Sequence, residues 1–380
     1  MEDFDLIIVG AGVAGASLAW RLAGTRRVAV LEMEPQPGYH ASGRSATHLN
    51  LTVGVPAVRR LSAVSRTFFL QPPEDFAGGP LVTPCPALTV AAEDERALAA
   101  ECLRELHELG SDARELDAAE LRTMVPILSI RPGRLAVGVF DPEGYRIDGH
   151  ALLGGYLRGL RRAGGELLTD AAVTSLRHAG GHWHIEAGGR TLRAPVVVNA
   201  AGAWADEVAR HAGVRTLGLT PLRRTAVTFN LPDGIDARQW PFVKCVSERW
   251  YFVPEAGGLL LSPADETPMP PCDVQPDEYD VAVAVDRFEA VTDITVERLT
   301  ARWAGLRTFA ADRLPVVGHD PAAPGFFWLA GQGGAGLQTS PALSALAAAV
   351  LDGREPDPEL HAAGLDATLF APARLADASP

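Results

Sequence analysis

Two short apolar runs open the chain, residues 4–9 and 27–31, and neither alternates with polar positions. Unbroken runs of branched residues predict strands buried on both faces. Between them residues 14–22 carry apolar positions at helical spacing, so the start reads strand, helix, strand. Further helices are predicted over 93–109, 148–162 and 277–290, the second opening at an Asp cap and ending before Gly164-Gly165. Strands are predicted at 167–168, 182–185 and 195–199. From about 217 to 308 the pattern is strand-rich, with runs at 225–229, 250–253 and 259–262. A strand at 326–329, a glycine loop over 331–339 and a helix over 341–351 then restore the opening pattern.

What joins the first strand to the first helix is Gly10-Ala11-Gly12-Val13-Ala14-Gly15, and Glu32 stands 22 positions after Gly10, at the end of the second strand. Each residue type has a task in holding a dinucleotide. Gly10 permits the tight turn, and Gly12 lets backbone approach a pyrophosphate at the helix N-terminus. Gly15 allows the helix to pack on the strand, and Glu32 accepts ribose hydroxyls, which disfavours a 2′-phosphate. A glycine turn alone is weak, but strand, helix and distant acid fall where the unit requires them. The choice between FAD and NAD is left open by this turn.

The length of 380 residues suits about two domains. The net charge of −13 argues against nucleic acid or an anionic membrane as partner. Cys85, Cys102, Cys245 and Cys272 are scattered without a C-x-x-C pair, so neither a metal site nor a disulfide framework is expected, and a cytoplasmic setting fits. Glu2, Asp3 and Asp5 precede the first apolar stretch where a signal peptide would be basic, and no stretch is long enough to predict a transmembrane segment. Lys244 is the sole lysine among many arginines.

Four landmarks stand in order: the glycine turn with Glu32, Gly43-Arg44-Ser45-Ala46, Asn199-Ala200-Ala201-Gly202-Ala203-Trp204, and the loop ending Gly334-Ala335-Gly336-Leu337-Gln338-Thr339. Together they resemble the D-amino-acid oxidase superfamily of FAD enzymes over essentially the whole chain. The runs Gln36 to His40, Gly154 to Gly159, Trp303 to Arg307 and Gln332-Gly333-Gly334 are most similar to its D-arginine dehydrogenase group. The resemblance implies an α/β (α+β) fold: a Rossmann-like FAD-binding domain built from discontinuous segments (1–78, 146–216 and 307–380) with an inserted β-rich substrate-binding domain (79–145 and 217–306). It implies FAD, placed by Gly10, Gly12, Val13, Ala14, Gly15, Glu32, Met33, Ser42, Arg44, Ser45, Ala46, Val173, Ala201, Gly202, Trp204, Gly334, Gly336, Leu337, Gln338 and Thr339. With no cysteine in the C-terminal loop, FAD is expected to be non-covalent.

The resemblance implies oxidative deamination, by hydride transfer from Cα to flavin N5, of an amino acid whose carboxylate is gripped by Arg224, Tyr251 and Arg307. A guanidinium fork suits that task. His48 either assists amine deprotonation or is a polar neighbour of the flavin. With an ordinary pKa near 6.5 it is the natural candidate should activity rise through neutrality. Around the side-chain pocket this sequence departs from the D-arginine pattern. Ala87 replaces a glutamate, Val53 a tyrosine and Asn50 a threonine, while Phe242 and Lys244 line the same pocket, together with Gly334 and Gln338. A negative charge is lost and a positive one gained, so a neutral or acidic D-amino acid is expected over a cationic one. The alternatives are a flavin oxidase of an amine, glycine or N-methyl amino acid, and a non-catalytic FAD-binding partner subunit. Residues 257–262 hold no lysine of the kind that speeds oxygen reaction in sarcosine-type oxidases. The expected electron acceptor is therefore a quinone, with O2 as the other option.

Overall fold

The structure is a computed structural model and describes residues 1–131, 134–255 and 257–375. Residues 376–380, at the end of the third expected FAD segment, lie outside the described residues.

The opening apolar runs become adjacent parallel strands, Leu6–Val9 and Val28–Leu31, in a six-stranded sheet. Its order is Glu166–Leu168, Val28–Leu31, Leu6–Val9, Val196–Asn199, Phe326–Ala330 and Val316–His319, all parallel except the last. The lack of alternation now has a cause. Leu6, Ile8, Val28 and Val30 pack into one core with the helices Val13–Leu22, Pro56–Leu70, Gly149–Arg162 and Gly336–Leu351. Ile7, Val9, Ala29 and Leu31 face a second core beneath the antiparallel strands Val173–Ala179, His182–Ala187 and Arg190–Ala194. Every side chain of these strands is therefore removed from water, which selects apolar residues at successive positions.

The predicted cap is used: Asp148 accepts from Ala151 N at 2.7 Å. Asp277 likewise accepts from Tyr279 N at 2.9 Å at the start of helix Glu278–Val291, a cap not predicted. The last helix departs from expectation by starting at Gly336, five residues before Pro341. Pro341 cannot donate to the Leu337 carbonyl, and the Ser340 hydroxyl does so instead at 3.0 Å, so the helix runs through the proline. Helix Pro56–Leu70 and the strands Ala87–Ala91, Val137–Asp141, Phe242–Cys245 and Leu299–Phe309 were not predicted.

Those strands belong to a nine-stranded sheet. Its main path runs Thr267–Pro268, Thr220–Asn230, Gly258–Ser262, Tyr251–Glu255, Phe242–Cys245, Ala87–Ala91, Val137–Asp141 and Arg114–Leu116. Strand Leu299–Phe309 pairs along Thr220–Asn230 with Arg224 opposite Gly305 and Leu222 opposite Arg307. That register sets Arg224 and Arg307 diagonally on one face, because residues two apart on a strand share a face. Arg223 points to the other face, where it pairs with Asp280 at 2.7 Å.

Candidate active site

A long cleft follows the ends of the parallel strands. It starts at Glu32, Met33 and Val173, passes the glycine turn and Ala201 to Trp204, and reaches Ala46, Arg224, Tyr251, Arg307 and Gly334. Gly10 adopts φ +103°, and a Cβ there would fall 2.5 Å from the Ala200 carbonyl oxygen. A Cβ on Gly15 would fall 2.0 Å from the Gly10 oxygen, so its glycine serves helix packing and it does not line the cleft. Helix Val13–Leu22 presents its N-terminus to the cleft, with Val13 N donating to Ser42 Oγ at 3.0 Å. Glu32 is buried, accepting from Ala11 N at 2.9 Å and Glu34 N at 3.1 Å, which fixes its carboxylate beside the turn. A helix N-terminus in a glycine cradle, with an anchored acid further along, fits an extended dinucleotide.

All sequence-derived cofactor residues line this cleft except Gly15, Gln338 and Thr339. Thr339 is buried and bonds the Ala335 carbonyl, and Gln338 faces a second chamber. Arg44 lines the cleft, but its guanidinium is committed to Asp273 and to the carbonyls of Tyr39, Val274 and Ala304, a bracing role. His40 and Cys272 also line it and were missed. His40 pairs with Glu34 at 2.8 Å and packs on Trp204; it ends the Gln36 to His40 run of the family resemblance, which gave it no role.

The second chamber, about 720 Å³, meets the cleft at Ala46, Arg224, Tyr251, Arg307 and Gly334. His48, Asn50, Val53, Phe242, Lys244 and Gln338 line it, so every sequence-derived catalytic or substrate residue converges there except one. The exception corrects an expectation: Ala87 is buried in its strand opposite Phe242, outside the chamber lining. The Phe242 ring lies against His48 at 4.7 Å and Tyr251 at 5.3 Å.

Arg224 is held by the Asp265 carbonyl at 2.9 Å and Glu266 at 3.2 Å. Arg313 shares that glutamate, and neither Glu266 nor Arg313 was foreseen from sequence. Arg307 has no hydrogen-bond or ion-pair partner among the described residues. Its guanidinium lies over Gly334, where a Cβ would come within 2.7 Å of it. Removal from water and the neighbouring Arg224 lower its pKa to about 10, so it remains cationic at neutral pH.

Two electrostatic expectations are overturned. Lys244 is not a free cation: it is buried, donates to the Thr52 carbonyl at 3.2 Å and pairs with Glu248 at 3.1 Å. His48 does not titrate near neutrality. Burial, opposed by its bond to the Cys85 carbonyl and aided by Arg146, lowers its pKa to about 3. Its Nε2 donates to that carbonyl at 2.8 Å, which leaves Nδ1 a lone-pair acceptor without a partner among the described residues.

No helix among the described residues is long and apolar enough to cross a membrane, and no group of His, Cys, Asp and Glu among them could hold a metal ion. A family model described as FAD dependent oxidoreductase matches residues 5–350. Human dimethylglycine dehydrogenase is 26% identical over 271 residues, 68% of this chain, and this chain spans about 30% of that protein's length. Glycine oxidase of Geobacillus kaustophilus is 26% identical over 362 residues, covering 93% of this chain and 94% of that one. The crystal structure of glycine oxidase from Geobacillus kaustophilus superposes with a TM-score of 0.82 at 24% identity, covering 96% of this chain and 98% of the other.

Proposed function

The chain belongs to the FAD dependent oxidoreductase family and binds FAD, and on that premise we propose that it oxidises the C–N bond of an α-amino acid with a neutral or acidic side chain. The product is an imino acid that water converts to the 2-oxo acid. The segments 1–78, 146–216 and 307–380 are assigned to FAD and the segments 79–145 and 217–306 to the substrate. The D configuration is taken from the resemblance to D-arginine dehydrogenases.

The observation that carries the reading is Arg307, an unpaired guanidinium beside Tyr251 where cleft and chamber meet. A half-buried cation with no partner among the described residues calls for an anion, and the α-carboxylate supplies one with matching fork geometry. Arg224 flanks it, already neutralised by Glu266. FAD bound in the cleft supplies the two-electron oxidising power. The protein's part is to fix the carboxylate at Arg307 and Tyr251, so that Cα is presented toward the cleft. Neutral His48 accepts an amine N–H at Nδ1, which orients the nitrogen lone pair without taking a proton into the site. A quinone-type acceptor is proposed for the electrons.

A second reading, oxidation of glycine or an N-methylglycine, is favoured by the similarity to glycine oxidase and dimethylglycine dehydrogenase. A chamber of about 720 Å³ exceeds what glycine needs. Anaerobic addition of D-amino acids, L-amino acids and N-methylglycines to the FAD-loaded protein, with the visible flavin absorbance as readout, tests both. Bleaching by D-amino acids supports the first reading. Bleaching by N-methylglycines alone overturns it in favour of the second.

A further inference from the structure

Residues 263–277 join strand Gly258–Ser262 to helix Glu278–Val291, a connection long enough to carry a function of its own. Its second half, residues 270–276, runs along the dinucleotide cleft, where Cys272 and Val274 form part of the lining. Val274 is the one buried residue of this stretch. It packs with Ala304 and Leu306, and Ala203, from the turn over residues 201–204, rests on the same cluster. Pro270, Pro271 and Pro276 have no backbone N–H to donate, and the stretch makes no backbone–backbone hydrogen bond among the described residues.

Two side chains of residues 39–44 hold it instead. Arg44 donates to Asp273 Oδ1 at 2.5 Å and to the Val274 carbonyl at 3.2 Å, and the Tyr39 hydroxyl donates to Asp273 Oδ2 at 3.2 Å. Arg44 is itself fixed, since it also donates to the Tyr39 and Ala304 carbonyls and its own carbonyl accepts from Trp303 Nε1 at 3.1 Å. The Asp273 side chain is 48% exposed and does not line the cleft, whereas Tyr39, Arg44 and Ala203 do. The stretch therefore spans from the wall made by residues 39–44 to the wall made by residues 201–204.

A segment with one buried apolar residue and no backbone ladder opens locally at small cost. Its prolines keep it extended, so that it moves as one piece. What opposes opening is an ion pair at the surface with one added hydroxyl bond, an interaction of modest strength. We propose that residues 270–276 are a strap across the FAD cleft, latched by Asp273 to Arg44 and Tyr39, and that the strap opens to pass FAD. Association and release both need the open cleft, so the latch slows the two alike. Because Asp273 does not line the cleft, the latch contributes equally with the cleft filled or empty. A contribution common to both states cancels from the affinity.

The test measures FAD exchange on the full chain, comparing wild type with Asp273→Ala and Asp273→Glu. Release is read from the rise in flavin fluorescence after dilution of the loaded protein, and association from the quench when FAD meets the apoprotein. Asp273→Ala is expected to raise both rate constants by about three- to tenfold, the worth of an exposed ion pair with a further hydrogen bond. Their ratio should move by less than about twofold, since no contact to FAD is removed. Asp273→Glu keeps the carboxylate, and both rates should stay within about twofold of wild type. The thermal midpoint of the apoprotein checks folding and should change by less than about 2 °C. Faster release with association unchanged or slowed would make Asp273 an ordinary stabiliser of bound FAD and overturn the latch. No change in either rate would overturn it as well.

Discussion

Replacing Arg307 by Met separates the guanidinium's role in binding from its effect on stability. Removal from water and Arg224 bring its pKa down to about 10. Below pH 10 the side chain carries its full charge in the folded protein, so at pH 7 the whole penalty of holding it there applies. At roughly 1.4 kcal/mol per unit, and allowing for screening by water in the clefts, that penalty is about 2 kcal/mol. Met is close in length and uncharged. Arg307→Met is therefore expected to raise the thermal midpoint of the substrate-free protein by about 2–4 °C. Loss of a charge-assisted carboxylate partner withdraws about 3 kcal/mol or more of binding, a fall in kcat/KM of about 100-fold or greater. The assay is steady-state turnover of the best D-amino acid with an artificial electron acceptor, alongside a thermal melt. The fall is expected mainly in KM, and bleaching by the matching amine that lacks a carboxylate should change little. Activity within threefold of wild type, or a midpoint lowered by several degrees, would refute the assignment of Arg307 as an unpaired carboxylate receptor.

Other perturbations follow from the same site. Gly334→Ala places a Cβ 2.7 Å from the Arg307 guanidinium, and displacing that fork should raise KM by about tenfold or more. Glu32→Ala strands Ala11 N and removes the proposed ribose acceptor. Flavin fluorescence released on dilution should report FAD affinity weakened by about 10- to 100-fold. His48 protonates near pH 3 when folded but near 6.5 when unfolded, so the unfolded chain takes up the proton first as pH falls. Its contribution is fully present above about pH 6.5 and is lost toward pH 3, by roughly 3 kcal/mol after allowance for its partly open side. Urea midpoints of wild type and His48→Gln should diverge over that window. The pH–rate profile should show no inflection from His48 between about pH 5 and 9.

The dinucleotide half was legible because its physics is local. Gly10, at φ +103°, and Gly15, whose Cβ would meet the Gly10 oxygen, are constrained within the turn itself, and strands buried on both faces advertise themselves as unbroken apolar runs. The substrate half rests on long-range pairing. Strands such as Ala87–Ala91 and Phe242–Cys245 acquire their identity only from the neighbours they meet across the sheet. The sequence contained Arg307, His48 and Lys244 and indicated that they gather around a pocket. It could not assign their charge states, because these depend on distant partners: Glu248 on Lys244, the Cys85 carbonyl on His48, Glu266 on Arg224. Spacing alone determined a dinucleotide fold, and the arginines of the pocket came only from the family resemblance. Only the tertiary structure decided which cation is left unpaired and which acid Arg44 meets, since electrostatics and hydrogen-bond satisfaction are set by contacts between residues far apart in the chain.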